Sequence, residues 1–307
     1  MTNIRDIAKL TGYSVSTVSR VINNHPYVDE TKRAEILSVI KELEYVPNAS
    51  ARQLSYGRTK NIGVILPYTD HPYFDQLVSG IIESAFNEDY KVTLLPTNYQ
   101  VERERMYLEE FAGKRFDGLI VTSRANPLAV LLSYQKYGPI IFCEEIKETK
   151  ASCVFINREE SLKEALNYLK TQGVENLGVT LGRSGRLSYN SKITLEICKK
   201  IFPNFDLQNI FWNCIDYEQG VKAAKYFKQK KIDGILSNTD AVAAAILQNG
   251  LLESKKRVIG RDNLLISKLL AFSTIDHGLR ECGETAFILF IEEKMEQIKI
   301  PYRFIQR

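Results

Sequence analysis

Ser14-Val-Ser-Thr-Val-Ser-Arg-Val-Ile-Asn-Asn24 decides how the first fifth of the chain is read. Ser14 offers a side-chain oxygen to the unpaired amides of a helix start. Val15, Val18, Ser19 and Val21-Ile22 then follow at helical spacing. Just before this run, Ile4, Ile7, Ala8 and Leu10 form a short stripe that stops at Gly12, where a left-handed turn costs least. Beyond it, from about Glu30 to Leu43, Ala34, Leu37, Ile40 and Lys41-Leu43 set out one apolar face. Two short helices across a glycine-containing turn, closed by a third, match helix-turn-helix geometry. The second helix then presents Ser16, Thr17, Arg20 and Asn23. These are short hydrogen-bonding groups and one guanidinium, suited to base edges in a major groove. A generic three-helix bundle with a solvated polar face fits the same pattern.

The next segment, Tyr45-Val-Pro-Asn-Ala-Ser-Ala-Arg-Gln-Leu54, separates these alternatives. Asn48 after Pro47 is placed to cap a two-turn helix ending near Gly57, too short to be stable alone in water. It is small, polar and basic apart from Leu54. A marginal helix with one exposed leucine suits folding on a partner, with the leucine as a wedge between base steps. Charge agrees: residues 1–60 hold nine Lys/Arg against six Asp/Glu, and the remainder holds 32 against 31, so most of the net +4 sits at the front. A basic module on a near-neutral body points to a polyanion partner for that module.

The composition is globular: 307 residues, 25% charged and 44% hydrophobic, enough for roughly two to three domains. No run of about 18 apolar residues occurs, so no membrane-spanning helix is expected. The polar start, Met1-Thr2-Asn3-Ile4-Arg5-Asp6, lacks the pattern of a secretory signal. The five scattered cysteines have neither zinc nor disulfide spacing, and three histidines make a His-rich metal site a poor fit. A cytoplasmic protein with no metal and no cofactor is expected.

After residue 60, apolar runs alternate with helical patterns, the mark of βα units and parallel sheets. Strands are expected at 62–66, 92–96, 117–122, 139–143, 176–181, 209–212, 232–237 and 257–260. An internal echo accompanies them. Asn61-Ile-Gly-Val-Ile-Leu66 resembles Asn176-Leu-Gly-Val-Thr-Leu181, and Phe116-Asp-Gly-Leu-Ile-Val121 resembles Ile232-Asp-Gly-Ile-Leu-Ser237, at nearly one offset. A duplicated α/β lobe follows, with a ligand cleft at the carboxyl ends of the strands and hinge closure as its motion.

The Ser14–Asn24 and Tyr45–Leu54 motifs resemble the DNA-binding headpiece and hinge helix of the lac repressor family of bacterial transcription regulators. The rest resembles the periplasmic-sugar-binding-like core of the same family. The resemblance implies an N-terminal three-helix helix-turn-helix headpiece with a hinge helix, then two doubly wound parallel α/β lobes of periplasmic-binding-protein type. It implies a headpiece over 1–45, a hinge and linker over 46–59, and a core over 60–307. The first lobe would hold about 60–156 and 277–298, and the second about 157–276 and 299–307. By resemblance, Val15, Ser16 and Arg20 read bases, Thr17 and Asn23 lie near phosphates, and Asn48, Ala51 and Leu54 serve the hinge in the minor groove.

Candidate effector contacts follow the same frame. Asp70-His71-Pro72-Tyr73-Phe74 opens a helix directly after the first strand, so Tyr73 and Phe74 border the cleft or plug the lobe core, with Leu77, Val78, Ile81, Ile82 and Phe86 behind them at core spacing. Asp262 falls where the family has a ligand-contacting Asp and Thr239 where it commonly has Asn; Asp240 either joins them or caps the helix from Ala241. Lys192 replaces the usual sugar-clamping arginine, Arg261 the usual aromatic, and Glu144 and Asn157 common aspartates; His277 completes the set. Lysine is a point charge rather than a fork, so the recognised hydroxyl pattern must differ.

No G-x-x-x-x-G-K-[ST], G-x-G-x-x-G after a strand, H-E-x-x-H or G-x-S-x-G occurs, and Gly182-Arg-Ser-Gly185 lacks the lysine of a phosphate loop. The expectation is a homodimeric repressor, not an enzyme, that binds a palindromic double-stranded DNA operator and answers to a sugar or sugar phosphate. A protein corepressor in place of the metabolite, or a soluble sugar-binding receptor, are the alternatives.

Overall fold

The computed structural model describes residues 3–46, 57–147, 151–182, 188–250 and 255–307, so the hinge positions Asn48, Ala51 and Leu54 lie outside the described residues. The chain divides into two compact units between Thr59 and Lys60.

In the first unit, α1 (Ile4–Thr11) is closed at its start by a reciprocal pair. Asn3 Oδ1 accepts from the Arg5 amide at 2.8 Å, and Asp6 Oδ2 accepts from the Asn3 amide at 2.8 Å. Gly12, at φ +71°, turns the chain. Helix α2 (Val15–Ile22) is capped by Ser14 Oγ, which accepts from the Thr17 amide at 3.1 Å. Asp29 does the same for α3 (Glu30–Glu42), accepting from Lys32 N at 3.1 Å. Ile7, Ala8, Val18, Val21 and Ile36 form the core. The apolar faces are set differently from the expectation. Leu10 is exposed, and α3 turns Ile36, Val39, Ile40 and Leu43 inward while Ala34 and Leu37 face out. Ile36 and the residues three, four and seven beyond it share one face, and Leu37 is rotated about 100° from that line.

The second unit runs β1 (Asn61–Leu66), α4 (Pro72–Asn87), β2 (Lys91–Pro96), α5 (Val101–Ala112), β3 (Gly118–Val121), α6 (Leu128–Ser133), β4 (Ile140–Phe142) and β5 (Ser152–Ile156). It continues with α7 (Arg158–Thr171), β6 (Leu177–Thr180), α8 (Tyr189–Ile201), β7 (Ile210–Phe211), α9 (Tyr217–Gln229), β8 (Gly234–Leu236), α10 (Asp240–Gln248), β9 (Val258–Arg261) and α11 (Leu265–Leu269). It closes with β10 (Ser273–Asp276), α12 (Leu279–Glu292), β11 (Gln297–Ile300) and β12 (Arg303–Ile305). One sheet has the order β2-β1-β3-β4-β5-β11, all parallel. The other has β7-β6-β8-β9-β10-β12, parallel except for the β10–β12 pair.

The two sheets have the same order, and the sequence echo has a physical job in both. Asp117 Oδ2 accepts from the Lys60 amide at 2.9 Å, and Asp233 Oδ1 accepts from the Asn176 amide at 2.8 Å. Each repeated Asp thus ties the start of its lobe's third strand to the start of its first. Strand β5 was not anticipated. Strand β11 corrects the lobe boundary placed at 299, because its pairing with β5 keeps Lys299 and Ile300 in the first sheet. The chain crosses between lobes after β5, after β10 and after β11.

In the first lobe, α4 and α12 touch backbone to backbone. A Cβ on Gly283 would lie 2.0 Å from the Leu77 carbonyl oxygen, and one on Gly80 2.1 Å from that of Arg280. Leu77, Val78 and Ile81 face this core as expected, but Ile82 (47% exposed) and Phe86 (79%) do not. They lie on the outer side of α4, past the reach of α12 and the sheet.

Candidate nucleic-acid interface and interlobe cleft

Helix α2 buries Val18 and Val21 and keeps its other side open. Val15, Ser16 and Arg20 are exposed, and Thr17 and Asn23 are half-buried. Ser14 Oγ lies 2.8 Å from both Ser16 Oγ and Thr17 Oγ1, so the three hydroxyls share a small network at the helix start. Asn23 Nδ2 donates to Ser19 Oγ at 3.3 Å at the other end. The Arg20 guanidinium makes no hydrogen bond or ion pair among the described residues. The open side therefore carries a row of short donors and acceptors with an uncommitted guanidinium, the chemistry that base edges and phosphates require.

The cleft lies where the doubly wound topology predicts it, at the carboxyl ends of the strands. It encloses about 200 Å³ between the lobes. Tyr73, Phe74 and Glu144 line it from the first lobe, Thr239 and Asp262 from the second, and His277 from the crossing after β10. Lys192 is not brought to the cleft. Helix α8 starts at Tyr189 under the cap of Ser188, which turns Asn190 and Ser191 to the cavity and Lys192 to solvent. Asp240 neither lines the cleft nor caps α10. Thr239 Oγ1 is the cap, accepting from Val242 N at 3.1 Å, while buried Asp240 accepts from Thr274 Oγ1 at 2.6 Å and Leu264 N at 2.7 Å.

Local structure explains each wall. His71 caps α4, its Nδ1 accepting from the Tyr73 amide at 3.2 Å, and Pro72 takes the first helical position, where its missing amide costs nothing. Phe74 belongs to the lobe core, and Tyr73 packs against it, reaching the second lobe. There Arg158 sits over the Tyr73 ring, 5.3 Å from its centroid, and donates to its hydroxyl at 2.6 Å. A second bridge runs from Gln76 Nε2 to the Asp262 carbonyl at 2.9 Å. Asp262 and Asn263 hold φ values of +98° and +49°, and such strain collects at ligand clamps.

Arg261, Asp262 and His277 are almost completely buried, yet among the described residues Arg261 Nε and Nη2, Asp262 Oδ2 and both His277 nitrogens have no hydrogen-bond partner. Burial pushes the Asp262 carboxyl up to about 8, helped by nearby Asp240 and opposed by Arg261 and Arg158. Burial lowers Arg261 to about 10, with Arg158 adding repulsion. His277 is driven well below its ordinary value by burial, then by Arg158 and Arg261. Burial also raises Glu144, although Arg124 donates to it and opposes the shift.

Sequence reasoning missed Arg158, Tyr68, Tyr99 and Asn190, which line the cleft, and Arg124, which holds Glu144. Arg158 follows the unanticipated β5, and placing the Ser152–Ile156 run as a strand would have put it at a strand's carboxyl end. Among the described residues no group of three or more His, Cys, Asp or Glu is placed to hold a metal ion. The five cysteines are free and buried, and no described helix is long and apolar enough to cross a membrane.

Comparison with known proteins matches both units. Residues 3–48 match the family model of bacterial regulatory proteins, lacI family, and residues 59–307 that of periplasmic binding proteins and the sugar binding domain of the LacI family. Catabolite control protein B of Bacillus subtilis (strain 168) is 41% identical over 311 residues, covering 99% of each chain. The NTD biosynthesis operon regulator NtdR of the same organism is 30% identical, covering 100% of this chain and 99% of its own. Among solved structures, the lac repressor dimer bound to operator and the anti-inducer ONPF superposes with a TM-score of 0.81 at 19% identity, covering 100% of this chain and 98% of that one. With a headpiece matching the one model and a two-lobed core matching the other, the chain belongs to the LacI family: it is a DNA-binding transcription regulator with an effector-binding domain, in a family that is not enzymatic.

Proposed function

We propose that the protein is a homodimeric repressor that sets α2 of each protomer in a major groove of a pseudo-palindromic operator and is controlled by a small molecule, a sugar or sugar derivative, in the cleft. In this reading Val15, Ser16 and Arg20 contact bases, and Thr17 and Asn23 steady the helix end beside the phosphates. Asn48, Ala51 and Leu54 serve the central minor groove. Tyr73, Phe74, Glu144, Thr239, Asp262 and His277 face the effector. The observation that carries the proposal is the set of unpartnered polar atoms on Arg261, Asp262 and His277, buried in a cleft that two cross-lobe bonds hold together. A ligand that engages those atoms competes with or reinforces the bonds beside them, and so biases the angle between lobes. A coupling of about 1–3 kcal/mol suffices for a 5- to 150-fold change in operator affinity.

Exposed Ile82, Phe86 and Ile288, large apolar side chains on α4 and α12, support self-association through the first lobe. Selection of operators from random duplex DNA by the purified protein, repeated with a panel of sugars and sugar phosphates, tests the whole reading. It predicts an enriched palindrome whose recovery changes with a compound. No enrichment would refute it.

A further inference from the structure

We propose that the cleft takes a small hydroxylated metabolite carrying an oxyanion, a carboxylate or phosphate, gripped by the Nε–Nη2 edge of Arg261 with Arg158 close by. The proposal rests on reading the cleft as the effector site and assigns the chemistry of its occupant.

The geometry of a guanidinium carries it. Nε–H and one Nη2–H point the same way from one edge, spaced to meet two oxygens of a single carboxylate or phosphate. Among the described residues these are the two Arg261 atoms left without a partner, on a residue only 2% exposed. The opposite edge is the occupied one, through a long 3.4 Å contact from Nη1 to Asn190 Oδ1. A side chain that lines the cleft, held by its far edge and with its fork unmatched, is set to receive an anion.

Charge in the cleft points the same way. Glu144 is engaged by Arg124, and Glu145 stands at the exposed rim. Among the described residues no carboxylate pairs with Arg158 or Arg261. Asp262 is held largely protonated at neutral pH and His277 uncharged, so neither offsets the two guanidiniums. Two neighbouring, largely buried cations disfavour each other, and an oxyanion between them removes both the repulsion and the unmet donors. Asp262 Oδ2 and the His277 nitrogens remain for hydroxyl groups, and the Tyr73 ring supplies an apolar face.

The test uses the purified full-length protein without DNA, in thermal-shift and calorimetric titrations. The probes are inorganic phosphate and a matched panel of neutral sugars, their phosphates and their acids. Compounds bearing an oxyanion are expected to raise the melting temperature and neutral sugars are not; the phosphate and acid arms decide which group is taken. Binding of the best compound should weaken at least about tenfold in Arg261→Lys, which keeps the charge without the fork, and disappear in Arg261→Met. Unliganded Arg261→Met should melt no lower than wild type, because it removes a buried cation that no described carboxylate pairs with, at the cost of one long contact to Asn190. Stabilisation by neutral sugars, by no oxyanion compound, or a large fall in the melting temperature of unliganded Arg261→Met would each overturn the proposal. Operator selection without any compound separates this from the regulator reading: an enriched palindrome without anion binding overturns the ligand class alone.

Discussion

Gly283→Ala should be among the costliest methyl groups that can be added to this protein. The new Cβ would stand 2.0 Å from the Leu77 carbonyl oxygen and 3.0 Å from the Ile81 amide, both backbone atoms of α4. No rotamer change relieves such a clash. The helices must separate by more than 1 Å, on the order of the gap that forfeits a quarter to a half of each dispersion contact along the seam. Overpacking of this kind costs about 1–3 kcal/mol, and the loosened contacts of Leu77, Ile81 and Ala286 add to it. Alanine's better helix propensity returns about 1 kcal/mol. The net expectation is a loss of about 2–3 kcal/mol, or roughly 5–10 °C in melting temperature for a unit this size. Gly113→Ala is the matched control. Its backbone, at φ −74°, suits any residue, and its added Cβ lies an ordinary 3.4 Å from the nearest atom. It should gain up to about 1 kcal/mol through the unfolded chain. Urea unfolding followed by circular dichroism measures both, with Trp212, the single tryptophan, reporting on the second lobe separately. Equal effects at the two glycines, or a loss at Gly283 below about 0.5 kcal/mol, would refute the backbone-contact argument.

Other outcomes follow from the same structure. Asp262 is raised from 3.8 to about 8, so its contribution to stability is complete below pH 3.8 and is lost as pH rises toward 8. Asp240, raised to about 6, shares only the lower part of that window. Between pH 6 and 8 Asp262→Asn should therefore gain on wild type by up to about 1.4 kcal/mol per pH unit, measured by urea unfolding at several pH values; parallel pH profiles would show that the carboxyl is not held protonated. Arg20→Ala should cost about 1–3 kcal/mol and relax base preference at one position per half-site, read by binding-site selection; unchanged preference would remove Arg20 from base recognition. Buried Glu104 accepts from Ala125 N at 2.6 Å and from Asn126 N at 2.8 Å, anchoring the turn after β3. Glu104→Gln aims an amide donor at one of those amides and should cost about 1–3 kcal/mol in urea unfolding; a neutral result would mean the turn holds itself.

The headpiece and the lobes were legible because each is written in local patterns. Gly12 with the Ser14 cap marks the turn between α1 and α2, and the repeated Asp-Gly before β3 and β8 marks equivalent places in two similar sheets. What failed was direction around a helix. Lys192 and Ser191 are neighbours in sequence, but about 100° of rotation sends one to solvent and the other to the cleft. Ile82 and Phe86 keep the spacing of Val78, and spacing alone does not tell a face covered by the same chain from one left open. Arg158 escaped for a third reason. Its place depends on β5, a five-residue strand between β4, close in sequence, and a second parallel partner, β11, more than a hundred residues away.

The three crossings between lobes impose an order on synthesis. The first sheet has β1 to β5 once residue 156 has emerged, but α12 and the edge strand β11 arrive only after the whole second stretch from 158 to 276. At roughly 5–20 residues per second, the face of α4 that will meet α12 stays uncovered for on the order of ten seconds on the ribosome. Leu77 and Ile81, wholly buried in the finished protein, are solvent-facing for that time. A nascent chain of this design thus carries an uncovered apolar helix face through the middle of its translation. A premature stop anywhere between 158 and 279 leaves a nearly complete lobe that lacks the helix needed to close it.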